Sequence, residues 1–161
     1  MSARTTTGFV VMAATVALDQ ASKWWLLGPY DIGTRQPVEV TSFFNLVLTW
    51  NTGISFGLLG TYGDLTRWLL TGFAVAVAIA LAVWMIRATN LLLTVALAFV
   101  IGGALGNAID RVVHGAVADF FDFHLAGWHF WAFNIADSAI SIGVALLLWD
   151  AFFGSGRRQS E

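Results

Sequence analysis

The sequence predicts an all-α membrane protein with four transmembrane helices and a small β-containing loop on its outer surface. Two observations lead to this fold class. Of the 161 residues, 58% are hydrophobic and only 11% are charged, with a mean hydropathy of +0.75. A soluble domain of this length would be about one quarter charged. The apolar residues are also gathered in four long stretches, so we expect a single membrane domain over residues 1–161.

Each apolar stretch is long enough to cross a bilayer as a helix, which takes about 20 residues. The four stretches cover residues 8–27, 68–86, 91–109 and 134–153. Backbone groups in hydrocarbon have no water to bond, so each stretch is expected to be helical. "KWW" follows the first stretch where a signal peptide would carry a small-residue cleavage site. We therefore interpret the first stretch as a span.

The distribution of arginine predicts the orientation, because positive charge is denser on the cytoplasmic side. With four spans, both chain ends lie on one side. The segments on that side are 1–7, 87–90 and 154–161, with Arg4, Arg87, Arg157 and Arg158. The other side has the longer loops 28–67 and 110–133, with Arg35, Arg67 and Arg111. The termini are therefore expected in the cytoplasm and the two long loops outside.

The first outer loop contains a segment with strand periodicity. "FNLVLTWN" (44–51) alternates, placing Phe44, Leu46, Leu48 and Trp50 on one face. This pattern predicts a short strand or hairpin lying on the membrane surface.

Polar residues within spans are costly and suggest function. Asp19 and Lys23 lie four residues apart on the first helix, where they share a face and can pair. Asn107 lies near the outer end of the third span, where Gly102 and Gly106 form a small-residue face suited to close helix contact. The ion pair and the glycine face both have a simple structural interpretation.

Aspartates gather near the outer membrane boundary, at positions Asp110, Asp119, Asp122 and Asp137. Asp119 and Asp137 are 18 residues apart, so no single helix face holds both, although the two helix ends could bring them together. Asp137 falls in the first turn of the fourth helix, where a carboxylate is also favoured as a cap. Capping and catalysis both remain open for it.

Two carboxylates held close together do not both ionise easily, since each raises the pKa of the other. The ionised member can activate a water, and the protonated member can donate its proton to a leaving amide. This chemistry hydrolyses a peptide bond without a metal ion or a covalent intermediate.

Composition and motifs argue against several other classes. The chain has no Cys, which excludes a thiol nucleophile, and its net charge of -2 without a basic patch argues against nucleic acid. His124 and His129 near Asp122 suggest zinc, but no H-E-x-x-H motif is present and we predict no metal and no cofactor. "GISFG" (53–57) matches a nucleophile elbow, yet it is short in a chain with 16 glycines, so Ser55 is not assigned.

Four motifs occur in order along the four spans. They are "LDQASKWW" (18–25), "NTGISFG" (51–57), "GNAIDRVVHGAVADFFDF" (106–123) and "FNIAD" (133–137). Together they resemble the lipoprotein signal peptidases, or signal peptidase II, a family of membrane aspartic peptidases. The resemblance implies removal of signal peptides from bacterial prolipoproteins, before the diacylglyceryl-modified Cys, near the outer leaflet of the cytoplasmic (inner) membrane. The implied partners are these prolipoproteins and membrane lipids.

The resemblance also implies roles for individual residues. Asp119, in "VADF", and Asp137, in "FNIAD", match the catalytic pair of the family. The residues matching positions that bind substrate or order the site are Asp19, Lys23, Asn51, Gly53, Asn107, Arg111 and Asn134. The chain departs from the family at Phe130 and Trp131, where members often have Trp-Pro, which affects the expected shape of that loop.

A membrane protein without enzymatic activity, such as a small transporter or an assembly subunit, is the alternative. It would use Asp19, Lys23 and the outer aspartates as an ion or proton path. The apolar inner halves of the second, third and fourth helices argue against a path through the membrane.

Overall fold

The computed structural model describes residues 2–53 and 64–153. Its helices are α1 (Ala3–Leu27), α2 (Ile32–Arg35), α3 (Asp64–Ile86), α4 (Leu91–His114) and α5 (Ile135–Phe153). Its strands are β1 (Val38–Thr41), β2 (Phe44–Asn51), β3 (Val117–Leu125) and β4 (Trp128–His129). The fold is mostly helical with a small antiparallel sheet, which confirms the predicted combination of long helices and a small β-containing part. Ser55, Arg157 and Arg158 lie outside the described residues.

Three of the described helices, α3, α4 and α5, are long and apolar enough to cross a membrane. They correspond to the second, third and fourth predicted spans. The first predicted span also forms a helix, the 25-residue α1, but it is not among the candidate spans. The physical reason is that α1 carries Asp19, Gln20 and Lys23 near its C-terminal end and a run of threonines near its beginning.

Two helix boundaries differ from the predicted ones. α1 begins at Ala3, before residue 8, because Ser2 caps it and threonine hydroxyls bond back into the helix: Thr7 Oγ1 donates to Ala3 O at 3.0 Å. α4 continues to His114, so the prediction that the outer loop starts at 110 was wrong. Gly115, at φ 84°, adopts the left-handed conformation that ends this helix.

α4 is the central helix of the bundle and packs against α1, α3 and α5. In its most apolar stretch 61% of the residues are buried, against 17% in α3 and 22% in α5. Glycines allow the close approach to α1. A Cβ on Gly102 would lie 2.7 Å from Thr15 Cβ, and one on Gly106 would lie 2.6 Å from Asp19 Oδ2. The predicted packing role of these two glycines is confirmed.

The four strands form one antiparallel sheet in the order β1-β2-β3-β4. The predicted strand at 44–51 is confirmed as β2, and it forms a hairpin with β1. β3 falls within the predicted loop 110–133, so that prediction missed a strand. The segment "VADFFDFHL" is rich in Val and Phe, which was a usable strand signal.

A bulge between Leu46 and Thr49 interrupts the alternation of β2. Phe44 lies opposite Phe123 and Leu46 opposite Phe121, whereas Trp50 lies opposite Ala118. An extra residue in one strand shifts the alternation of every residue after it. The prediction that Trp50 shares a face with Phe44 and Leu46 was therefore wrong, and the shift brings Asn51 to the side of Asp119.

Candidate active site

Asp119 and Asp137 come from different elements and meet at one residue, Asn134. Asp119 lies on β3 and is 2% exposed, and Asp137 lies in the first turn of α5. Between them, Asn134 donates from Nδ2 to Asp119 Oδ1 at 2.7 Å and from its backbone N–H to Asp137 Oδ2 at 3.3 Å. The structure thus brings together the two acids that are 18 residues apart in sequence.

Asn134 and Asp137 form a reciprocal cap at the start of α5. The backbone N–H of Asp137 donates to Asn134 Oδ1 at 2.9 Å, and Asp137 Oδ2 accepts from the backbone N–H of Asn134. The capping interpretation of Asp137 is therefore correct. The cap uses Oδ2 of Asp137 and leaves Oδ1 for Asn107. Capping therefore also fixes the orientation of this carboxylate.

Asn107, on α4, connects the second acid to a buried lysine. Its Nδ2 donates to Asp137 Oδ1 at 2.7 Å, while its Oδ1 accepts from Asn134 Nδ2 at 3.1 Å and from Lys23 Nζ at 3.3 Å. These contacts determine which end of the amide carries oxygen. Asn107 is consequently held in one orientation toward Asp137.

Asn51 reaches Asp119 from the end of β2. Its Nδ2 donates to Asp119 Oδ2 at 3.2 Å, and its Oδ1 accepts from the backbone N–H of Gly53 at 3.2 Å. A Cβ on Gly53 would lie 3.3 Å from Thr66 Cγ2, which leaves little room for a larger residue. Gly53 therefore helps to hold the Asn51 amide with its NH₂ group toward the acid.

Burial raises the pKa of Asp119 to about 7, and the nearby charge of Asp137 acts in the same direction. The hydrogen bonds from Asn51 and Asn134 oppose the shift, because they stabilise the ionised form. Desolvation is the largest cause, so Asp119 keeps a proton to a much higher pH than an ordinary carboxyl group.

A buried charge cluster lies behind the two acids and is called the Lys23 triad here: Asp19, Lys23 and Asp110. Lys23 Nζ lies 2.8 Å from Asp19 Oδ2 and 2.8 Å from Asp110 Oδ2. The predicted pairing of Asp19 with Lys23 is confirmed, and Asp110 joins it. Asp19 is 0% exposed and Lys23 is 3% exposed, so the lysine does not extend outward to water.

The Lys23 triad holds the backbone next to each acid. Asp19 Oδ1 accepts from the N–H of Ala136 at 3.0 Å, and Ala136 directly precedes Asp137. Asp110 Oδ2 accepts from the N–H of Ala118 at 3.1 Å, and Ala118 directly precedes Asp119. One lysine therefore connects the anchors of both acids.

Arg111 lies on the last turn of α4, half-buried beside the acids. Its charge acts on Asp137, Asp110 and Asp119. Its Nη1 donates to Asn107 O at 3.4 Å, and its Nε finds no acceptor among the described residues. A guanidinium with a free donor next to two carboxyl groups is suited to bind a carbonyl oxygen.

Comparison with known proteins shows the family of this chain. The family model described as "Signal peptidase (SPase) II" matches residues 11–153. The chain belongs to the signal peptidase II family. The match includes every residue placed in the site above.

Curated relatives and solved structures extend over nearly the whole chain of this signal peptidase II family member. The lipoprotein signal peptidase of Methylobacterium sp. (strain 4-46) is 47% identical over 150 residues, 93% of this chain and 91% of the relative. That of Rhodopseudomonas palustris (strain TIE-1) is 47% identical over 152 residues, 92% and 93% of the two chains. A solved bacterial membrane enzyme has a TM-score of 0.81 at 31% identity, covering 97% of this chain and 93% of its own.

Asp122 and the two histidines form a separate cluster in this family member. His129 Nδ1 lies 2.8 Å from Asp122 Oδ2, and the rings of His124 and His129 stack at 5.0 Å. Within residues 2–53 and 64–153, no group of three or more His, Asp or Glu side chains is arranged to hold a metal ion.

Gln20 is a site residue that the sequence analysis did not single out. Its Nε2 lies 2.9 Å from Asp110 Oδ1, 3.1 Å from Asp19 Oδ2 and 3.2 Å from Gly106 O. A glutamine inside an apolar helix, next to Asp19, was the signal available.

Proposed function

We infer that this chain is a membrane aspartic peptidase that removes signal peptides from prolipoproteins, as its family membership indicates. We propose that it cuts before the diacylglyceryl-modified Cys and that Asp119 and Asp137 are the catalytic residues. The observation that carries the proposal is the shared donor residue: Asn134 donates to Asp119 from its side chain and to Asp137 from its backbone N–H.

The two acids take different roles in this proposal. Asp119 is buried and its pKa is raised to about 7, so it supplies a proton. Asp137 is half-buried and accepts hydrogen bonds from Asn107 and Asn134, which suits an ionised carboxylate. Asp137 takes a proton from water while the hydroxide oxygen bonds to the scissile carbonyl carbon. Asp119 then gives its proton to the amide nitrogen as the C–N bond breaks.

The remaining predicted residues bind substrate or order the site. Arg111 donates to the carbonyl oxygen as negative charge develops there. Asn51 with Gly53 positions Asp119, and Asn107 with Asn134 positions Asp137. Asp19 and Lys23 act through the backbone contacts of the triad.

The enzyme is proposed to lie in the bacterial cytoplasmic (inner) membrane, with four spans including α1, both termini cytoplasmic and the site near the outer leaflet. Exposed tryptophans at the helix ends support this placement, because tryptophan prefers headgroup depth. They are Trp24, Trp25, Trp68, Trp84 and Trp149. Exposed apolar side chains such as Phe73, which is 70% exposed, need lipid around α3. The proposed partners are prolipoproteins and membrane lipids, without nucleic acid.

The test is cleavage of a diacylglyceryl-modified precursor by purified Asp119→Asn and Asp137→Asn variants. Removing either member of an acid–base pair lowers a rate by about 100-fold or more, so each variant should lose almost all turnover. Asp64→Asn is the control, because that carboxylate is 90% exposed at the start of α3.

Full turnover in either dyad variant would refute the assignment of the pair. The family match favours the peptidase over the transporter alternative. Solute uptake by reconstituted vesicles without any precursor cleavage would reverse that conclusion.

A further inference from the structure

A cavity, called the outer cavity here, lies on the sheet. It has a volume of about 360 Å³. Its lining includes Thr49, which lies opposite Asp119 in the β2–β3 ladder, and Asp122, three residues further along β3. Three residues of extended chain span about 10 Å. Side chains three residues apart on a strand point to opposite faces, so Asp122 reaches the outer cavity from the face opposite that of Asp119, about 10 Å along β3.

A row of acceptors crosses three strands at this cavity. Asn45 lies opposite Glu39 on one side and opposite Asp122 on the other. Cross-strand neighbours lie on the same face of a sheet, so two carboxylates flank the amide. Asn45 and Asp122 line the cavity, and Glu39 is exposed at its neighbouring strand.

Asn45 is left with an unused acceptor. It is 8% exposed, and its Nδ2 donates to Asp122 Oδ2 at 3.4 Å, but its Oδ1 has no partner among the described residues. Buried polar groups in folded proteins are nearly always bonded, so a donor from outside is expected. Neither Lys nor Arg occurs among the described residues that line the cavity.

Asp122, a buried carboxylate, lies in the cavity lining beside Asn45, whose Oδ1 is unpaired within the described part of the chain. It is 6% exposed and accepts from His129 Nδ1 at 2.8 Å. The described lining therefore offers acceptors at its buried end, a carboxylate and an amide oxygen. Such a site favours a cation or another strong N–H donor over an apolar or an anionic group.

We propose that the outer cavity binds a cationic or N–H-donating side chain of the precursor, within about four residues after the modified Cys. This inference rests on the proposed function. The apolar segment of a signal peptide stays in the bilayer, whereas the sheet lies between the outer ends of the spans. The chain that follows the scissile bond is therefore the part of the substrate that passes over the sheet.

The experiment uses the full-length enzyme and precursors with Lys, Leu or Asp at the second, third or fourth position after the modified Cys. At one of these positions, Lys should give a kcat/KM about tenfold above that of Leu, through KM, because it gains a charge-assisted hydrogen bond. Asp should be the poorest. Asp122→Asn should reduce the advantage of Lys, and Asp31→Asn, an exposed carboxylate outside the cavity, should preserve it.

Several outcomes would overturn the proposal. Equal KM values for the three precursors with the unmodified enzyme would refute the proposal. This test needs no variant, so it stands even if Asp122→Asn fails to fold. An undiminished Lys advantage in folded Asp122→Asn would refute the proposal as well. If phosphatidylethanolamine binds the enzyme and Asp122→Asn weakens that binding, while the three precursors keep equal KM values, the cavity binds a lipid headgroup and not the substrate. Failure to cleave any precursor would refute the proposed peptidase itself.

Discussion

The buried carboxyl group of Asp119 is the residue on which the proposed chemistry depends. Its environment combines desolvation, a second acid and two amide donors, and desolvation has the largest effect on its pKa. An acid that keeps its proton near neutral pH can serve as a proton donor at that pH. The second acid, Asp137, is oriented by its own cap, so a structural contact and the proposed catalytic role coexist in one side chain.

Activity should fall as pH rises through about 7, because Asp119 then loses the proton it donates. Initial cleavage rates from about pH 5 to about pH 9, at saturating precursor, measure this titration. Asp64→Asn, with its exposed carboxylate, should leave the midpoint unchanged. A rate that stays constant from about pH 6 to about pH 9 would contradict the role of Asp119 as proton donor.

Stability should also depend on the titration of Asp119. Its pKa rises from the ordinary 3.8 to about 7 on folding, so between these values the folded state holds a proton that the unfolded chain releases. The stabilisation by this proton is complete below the lower value and is lost as pH rises through the upper one. Asp119→Asn should therefore raise Tm relative to the unmodified protein more at about pH 8 than at about pH 5. An equal Tm difference at both values would contradict the shift.

At the scale of elements, three helices and two strands deliver the site residues, and backbone anchors set their spacing. α1 supplies Lys23, and the triad reaches the N–H groups just before Asp119 on β3 and Asp137 on α5. A bulge in β2 brings Asn51 to the same side as Asp119. The buried charges of the Lys23 triad position backbone groups next to both acids. Burying charge is costly, so its presence here is better explained by this positioning than by a gain in stability.

Lys23→Met should destabilise the protein by about 3–5 kcal/mol, since it leaves Asp19 and Asp110 buried without their cation. Thermal unfolding in detergent measures the loss. Adding Asp110→Asn should restore part of it, because one of the two uncompensated charges is removed. Arg4→Met is the control on the same helix: Arg4 makes an exposed bond to Thr89 O, and its loss should cost less than about 1 kcal/mol. Equal losses in the two single variants would contradict the triad.

Gly106→Ala should lower both stability and cleavage rate. Its Cβ would lie 2.6 Å from Asp19 Oδ2 and 3.3 Å from Ala136 Cβ, so Asp19 must move and release the N–H before Asp137. Such overpacking costs about 1–3 kcal/mol. Gly72→Ala is the matched control on α3, where a Cβ meets nothing within 4 Å and helix propensity predicts a gain of about 1 kcal/mol. Similar Tm values for the two variants would contradict close packing at Gly106.

At the scale of the whole molecule, one buried helix organises the bundle and the sheet covers one end of it. α4 contacts α1, α3 and α5, and its last turn carries Arg111 beside the acids. The large exposed apolar surface of α3 and α5 is compatible with lipid and not with water. α1 is less apolar because its C-terminal half contributes Asp19 and Lys23 to the charge cluster, which accounts for its absence from the candidate spans while it still packs against α4.

Topology can be measured by labelling single cysteines, since the chain has none of its own. Val40→Cys, on the exposed β1, should react with a membrane-impermeant maleimide in intact spheroplasts. Ala3→Cys and Thr89→Cys, both exposed, should react only after permeabilisation. Labelling of Ala3→Cys in intact spheroplasts would show that α1 does not cross, because Val40 and Ala3 would then share a side.

Much of the site was predictable because the informative signals are local. A charged residue in an apolar helix is costly, so Asp19 and Lys23 stood out, and a carboxylate in a first helical turn marked Asp137. Spacing did not choose among Asp110, Asp119 and Asp122, and that choice came from motif resemblance. β3, the bulge in β2 and the role of Gln20 were missed, because each depends on which distant segment lies alongside.

The sequence by itself determined that the protein belongs to a membrane, where its long helices run, and which residue types its chemistry employs, since hydropathy and helical periodicity are properties of neighbouring residues. Only the tertiary structure decided that Asp110 joins Asp19 at Lys23 and that one asparagine connects Asp119 with Asp137. These contacts join residues far apart in the chain, and they form because buried charges and backbone donors must find partners wherever packing brings them together.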